Sequence, residues 1–525
     1  MRSFPKGRDR APNLPALLPG LPDRVAVVGL CVCQGGQVRV LSVARLGAEE
    51  FGVTHIADGL ALVEEGGYLR LLMATRGDSR LVSLGLGPDT TMPAPDDPVI
   101  GAAASGDIAV QDLVGPDRAY VFASHANLMR HAQLDSSGTP GLTKGSISDQ
   151  GYLFGVTALA FLERGDTDLA VVAQRGLPGA RIFSVSESGE IALVSIIADS
   201  AKSYLADVAD LAAFDLGGRS FLAAISAAEH GVSLFEIDAG GRAVLVDALG
   251  AADGLPLGGP ADLATVRHGG TQFLLVASSL SSSVTVLRVN EMGVMFPEDH
   301  LIDDRMTRFA DVAVLDAFGY RGRALVVAAG SDAGLTVLEL LPDGRLSPIL
   351  THALETGAGI ATVTGIEVAV IGARAVVFLA DATGETLHRV EIDLSGLGDL
   401  VPSRGGAAVG TAADDRLMGS AEAETLSGGA GDDHLHDGAG GDLMLGGAGA
   451  DVFVLARDGA VDRIGDFQDG VDLIDLSDWG RIYGAAELTI TRTLKGAEIV
   501  YGTESLTITK ISNGALDLTD ADFLF

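Results

Sequence analysis

Residues 428–436 read GGAGDDHLH, residues 437–445 read DGAGGDLML and residues 446–454 read GGAGADVFV. These are three consecutive nonapeptides with recurring glycines, an Asp at the sixth place and an apolar residue at the eighth. Two looser copies precede them, GTAADDRLM at 410–418 and GSAEAETLS at 419–427. The first six residues of each unit read as a turn, because glycine takes positive φ and lets another backbone approach closely. The next three read as a short strand. The eighth places, Leu417, Leu426, Leu435, Met444 and Phe453, then stack inside a coil. Such a coil lacks a large core, and ions must join its turns. A phosphate-cradling loop would carry a Lys that these turns lack. A flexible linker would not hold Asp and an apolar residue at fixed offsets.

The period matches the glycine-rich nonapeptide consensus and resembles the RTX (hemolysin-type) calcium-binding repeat. That resemblance implies a parallel β-roll holding Ca2+ between turns one full coil, or 18 residues, apart. It places Asp415, Asp433 and Asp451 on one side of the roll and Glu424 and Asp442 on the other. Asp432 is expected as an accessory ligand. Turns built on Gly428, Gly429, Gly431, Gly438, Gly440, Gly446, Gly447 and Gly449 would supply carbonyl oxygens, the hard ligands calcium prefers. The Asp433/Asp451 pair is the expected best site, since the turns at Asp415 and Glu424 depart from the glycine pattern. His434 and His436 flank Leu435 and are expected to face solvent. Hard-oxygen turns suit calcium rather than zinc. The run from Asp462 to Phe467, then Asp469 to Ser477, is similar to the segment after the repeats in RTX proteins and in the C-terminal domains of serralysin-like proteases. Alternating segments at 488–492, 498–500 and 505–509 are expected to cap the coil. The resemblance also implies export by type I secretion machinery and folding on extracellular calcium. The opening MRSFPKGRDR shows no signal peptide, and Asp522-Phe523-Leu524-Phe525 is similar to an uncleaved export signal.

A longer repeat precedes the roll. Short Ala/Gly-Asp-apolar-Ala segments, or Thr-bearing relatives, recur at Asp58, Asp107, Thr157, Asp210, Asp262, Asp311 and Thr364, spaced by 49 to 53 residues. Each unit holds four β-like segments, including strongly apolar ones such as Phe273 to Ala277 and alternating ones such as Val284 to Val289. Four strands in about 40–50 residues is the period of a propeller blade. The expected fold is therefore all-β: a seven-bladed β-propeller over 25–402, a roll over 403–480 and a β-strand cap over 481–525, after an N-terminal extension 1–24. The last repeat is a strand short, and residues 35–43 are expected to close the ring, which would otherwise expose an edge. The blade at Gly259 to Leu287 resembles the lactonase-like seven-bladed propellers, a likeness that implies fold rather than activity. The seven anchors have two readings. They form a ring at the channel mouth fit for a cation or polar ligand, or each bonds backbone nearby, as small polar side chains do.

Asp and Glu number 70 against 36 Lys and Arg, a net charge of −34 that disfavours nucleic acid and anionic membranes as partners. No stretch reaches the ~18 uninterrupted apolar residues of a transmembrane span. Cys31 and Cys33 are too few for a disulfide framework and read as small buried hydrophobes. There is no HExxH motif and no GxSxG elbow. His125 and His131 fit no common zinc spacing. The propeller is therefore read as recognising an extracellular surface, polymer or protein partner. The alternative is a lactonase- or esterase-like hydrolase with its site in the channel.

Overall fold

Apolar runs separated by short Gly or Asp turns favour strands that pair with the next strand in sequence, and this is what the computed structural model shows. It describes residues 38–525 except 49–54, 66–67, 77–79, 87–99, 102–107, 114–118, 124–127, 135–139, 143–145, 148–155, 163–166, 187–189, 306, 355–361, 404 and 511–515. The expectations for 1–24, Cys31, Cys33 and Asp107, and for the side chain of Asp58, lie outside the described residues.

Seven sheets follow one another in a ring. Blade five is representative, with strands Pro260–His268, Thr271–Ser278, Ser283–Val289 and Met295–Ile302 paired antiparallel in that order. The first strand of each blade neighbours the first strands of the blades before and after it, so these strands line the centre. Second strands are covered on both faces by adjacent blades, and Phe273, Leu274, Leu275, Val276 and Ala277 have no exposure. Burial on both faces explains why such strands read as unbroken apolar runs. In blade seven, Val363–Ile371, Arg374–Asp381 and Thr386–Asp393 are joined by Arg39–Gly47, which pairs antiparallel with the third of them. The N-terminal segment closes the ring, as the short final repeat implies.

The roll is two parallel sheets back to back. One runs through Leu397–Pro402, Asp414–Met418, His434–His436, Val452–Val454, Leu473–Asp475 and Phe523–Leu524. The other runs through Ala407–Val409, Thr425–Ala430, Leu443–Ala448 and Val461–Phe467, then a capping meander of Glu504–Lys510, Gly496–Tyr501 and Thr489–Arg492. Strand pairing carries the roll back to Leu397, ahead of the compositional change at 403. Leu417, Leu426, Leu435, Met444 and Phe453 all point inward with no exposure. Phe523 adds a last rung beside Ile474.

The roll packs on blade six, and here one expectation is corrected. His434 and His436 do not stand free in solvent but are half-buried. His434 lines a cleft of about 350 Å³ with Ser347, Pro348 and Ile349 of the outer strand of that blade. Burial, with the Arg416 and Arg323 guanidiniums adding to it, pushes His434 well below its ordinary pKa. Burial also lowers His436, near Asp343 and Arg345. The contact is fixed by a buried ionic triad. Glu339 of blade six accepts from Arg323 of the same blade at 3.2 Å and from Arg416 of the roll at 2.8 and 2.9 Å. Burial opposes the charge of Glu339, yet Arg416 and Arg323 together hold its pKa below the ordinary value.

Candidate metal centre in the glycine turns

The sixth residue of each nonapeptide begins the climb into a strand, and its side chain falls back over its own turn. One coil later the pattern repeats, so these carboxylates form columns. Asp433 accepts the Asp415 N–H at 2.8 Å, and Asp451 accepts the Asp433 N–H at 2.9 Å. On the opposite side Asp442 accepts the Glu424 N–H at 2.6 Å. The columns match the expected grouping of Asp415, Asp433 and Asp451 against Glu424 and Asp442.

Each bond uses one oxygen. The second oxygen, Oδ2, of Asp433, Asp442 and Asp451 is buried with no hydrogen-bond partner, and the three residues are at most 1% exposed. An unmatched buried carboxylate oxygen is costly. Burial, reinforced by the neighbouring carboxylates, raises Asp433 and Asp451 to about 7. Asp442 is raised for the same reasons.

The glycines are required by the stacking. Gly429, Gly431, Gly438, Gly440, Gly447 and Gly449 all have positive φ. A Cβ on Gly447 would stand 2.1 Å from the Gly429 carbonyl oxygen. A Cβ on Gly428 or Gly446 would stand 2.2 Å from Oδ2 of Asp433 or Asp451, inside the space those oxygens face. Among the described residues no three His, Cys, Asp or Glu converge on one point. A cation here must draw on turn carbonyls as well as one or two carboxylates, a donor set of hard oxygens that fits calcium. Asp432, expected as an accessory ligand, accepts the Ala450 N–H at 2.8 Å.

The ends of the columns lie beyond the residues that the nonapeptide period singles out. Asp462 accepts the Asp442 N–H at 3.0 Å and Asp472 accepts the Asp451 N–H at 3.1 Å, at offsets of 20 and 21 residues. The sequence does carry a signal for them: Asp462 precedes Ile464, and Asp472 precedes Ile474, by the two places that separate Asp433 from Leu435. Asp458 also reaches the turn that carries Asp442, accepting the Gly440 N–H, and Glu504 of the cap accepts from Gly459 at 2.7 Å.

The propeller anchors are used differently. Asp210 accepts the Leu263 N–H of the next blade at 3.0 Å, and Asp262 accepts that of Leu315 at 2.6 Å. In blade six this clamp belongs to Asp316, which accepts from Val368 at 2.7 Å, and in blade seven to Glu367, which accepts from Leu62 at 3.3 Å. Asp311 lies in the preceding turn at φ 49° and accepts from Ser331. Its Ala-Asp-apolar-Ala letters mimic the anchor five residues early. Thr157 and Thr364 occupy the bulge one place before the position of Asp210. Thr157 donates to the Val208 carbonyl at 2.9 Å. Asp210, Asp262 and Thr157 bond backbone of the next blade, which agrees with the second of the two readings, whereas Asp311 bonds the Ser331 hydroxyl of its own blade.

The chain carries RTX calcium-binding nonapeptide repeats, whose family model matches residues 409–431 and 418–453. No curated protein matches it. Among solved structures it is similar to a periplasmic gluconolactonase of Pseudomonas aeruginosa, at 13% identity over 62% of this chain and 96% of that one, TM-score 0.44. It is also similar to a functionally unknown protein from Desulfotomaculum acetoxidans, at 12% identity over 62% and 94%, TM-score 0.41. A third, from Lactobacillus plantarum, has 14% identity over 53% and 81%, TM-score 0.37. Among the described residues no helix is long and apolar enough to cross a membrane.

Proposed function

We propose that this RTX-repeat protein is an exported calcium-dependent binding protein, whose roll folds on extracellular calcium and whose propeller recognises a surface, polymer or protein partner. The observation that carries the calcium half is the set of buried, unpartnered Oδ2 atoms on Asp433, Asp442 and Asp451. Bound calcium supplies the positive charge these carboxylates lack. The glycine turns offer carbonyls, Asp433 and Asp451 hold one column in register, and Asp442 holds the other. Binding to the folded roll alone stabilises it by mass action. The reading of the propeller as a recognition surface takes account of the inner-strand carboxylates Asp210, Asp262, Asp316 and Glu367, which are engaged in clamps between blades. Export rests on the likeness of the repeats to type I substrates, and the secretion machinery is the implied partner.

In a calcium titration of the full chain followed by circular dichroism, β signal should rise at ~10⁻⁴–10⁻³ M, the range of extracellular modules. Asp433→Ala and Asp451→Ala should each raise the midpoint several-fold. A flat titration would remove the calcium reading. Export is tested by fusing residues 397–525 to a slow-folding reporter in a host with a type I exporter; retention inside counts against it.

A further inference from the structure

The two looser nonapeptides lack glycine at the fourth place, where Ala413 and Glu422 stand, and also at the second. The second residue is glycine at 429, 438 and 447, but Thr at 411 and Ser at 420. Gly429, Gly438 and Gly447 have φ of 118°, 86° and 103°, whereas Thr411 and Ser420 lie outside the positive-φ region. The hydroxyls that replace glycine fold back on the column carboxylates. Thr411 donates to Oδ2 of Asp415 from Oγ1 at 2.9 Å and also from its N–H. Oδ1 of Asp415 accepts the Asp399 N–H at 2.6 Å. Glu424 accepts the Ser420 N–H at 2.8 Å, the Ser403 hydroxyl at 3.1 Å and the Ser420 hydroxyl. Both oxygens of Asp415 and of Glu424 are thus satisfied within the chain, while Asp433, Asp442 and Asp451 each keep one that is not.

The same first coil is hydrogen-bonded to the propeller. Arg323 donates to the carbonyls of Gly398, at 3.1 Å, and Asp414. The Arg321 guanidinium donates to the Leu397 carbonyl at 3.0 Å, and the Arg321 carbonyl accepts the Leu400 N–H at 3.1 Å. Arg416 joins the Glu339 triad.

We propose that the first coil, residues 397–427, forms without calcium, with hydroxyls of Thr411, Ser420 and Ser403 taking the place a cation has in later turns, and that it is the template on which the calcium-loaded coils stack. A solenoid propagates from any formed end, because each repeat needs only its neighbour. Here that end is supplied by blade six, and calcium is needed only beyond Gly428. This inference rests on the calcium reading above but assigns the metal to part of the array.

The test is hydrogen exchange on the full chain, in chelator and in millimolar calcium. Peptides within 397–427 should be protected in both, and peptides within 428–476 only in calcium. The double variant Thr411→Gly/Ser420→Gly should make 397–427 calcium-dependent and bind more calcium per chain by elemental analysis. Ser420→Thr should keep the wild-type pattern. Propeller peptides report whether each variant is folded, and the wild-type comparison decides the matter if the double variant is not. If 397–427 exchanges in chelator as fast as 428–476, the template is wrong. Unchanged protection and stoichiometry in a folded double variant would also overturn it. If calcium protects nothing, the calcium reading itself fails instead.

Discussion

At the scale of single residues, the roll is a problem of unmatched charge. Asp433 and Asp451 ionise in the unfolded chain near 3.8 but only at about 7 in the folded, metal-free roll. The folded state therefore binds protons that the unfolded state has released. Metal-free stability is greatest below the unfolded value and falls as pH rises through the window from about 4 to 7. In chelator, lowering the pH from 8 to 5 should increase β structure by circular dichroism, because protons neutralise what calcium otherwise would. In calcium the sign reverses: the calcium midpoint should rise as pH falls below 7, since protons compete for the same oxygens. A metal-free roll that gains no structure on acidification would show that these carboxylates are not the source of its instability.

At the scale of elements, two devices close the propeller. One is the carboxylate clamp between first strands, and the other is the strand Arg39–Gly47, without which Thr386–Asp393 would be an unpaired edge. Arg39 also pairs with Asp393 at 3.2 Å, but Arg39 is largely exposed and this pair adds little. Removing residues 1–47 should therefore act through the lost backbone ladder and the buried packing of blade seven. The expected outcome is aggregation measured by light scattering, while Arg39→Ala alone leaves the chain monodisperse. A soluble, equally stable truncated chain would show that the ring closes by other means.

At the scale of the whole molecule, the Arg323–Glu339–Arg416 triad holds propeller and roll together. Buried ion pairs often contribute little net stability, but removing one partner strands the others and costs about 3–5 kcal/mol. Glu339→Gln leaves two buried guanidiniums facing each other. In calcium, this variant should lose exchange protection in 397–402 and unfold its roll at lower denaturant, while blades three to five are unaffected. Simultaneous replacement of all three by apolar residues of similar volume should restore much of the loss. Wild-type roll stability in Glu339→Gln would mean that docking depends on main-chain bonds alone.

The nine-residue period by itself determined the roll, the inward Leu417, Leu435 and Phe453 ladder and the two carboxylate columns. The reason is local: positive φ at Gly429 and Gly447, and an Asp two places before an inward apolar side chain, are requirements met within one repeat. The blade period likewise determined a seven-bladed ring and the strand shortage that Arg39–Gly47 fills. Register inside the blades was not legible, because Asp311 and Asp316 both stand among apolar residues, and only strand pairing decides that Asp316 sits on the inner strand while Asp311 lies in the turn before it. Tertiary structure alone decided that Leu397–Pro402 belongs to the roll, that His434 and His436 face blade six, and that Glu339 meets Arg416 across 77 residues of chain. Such contacts depend on how two finished surfaces fit, and no repeat period encodes a partner that lies in another repeat array.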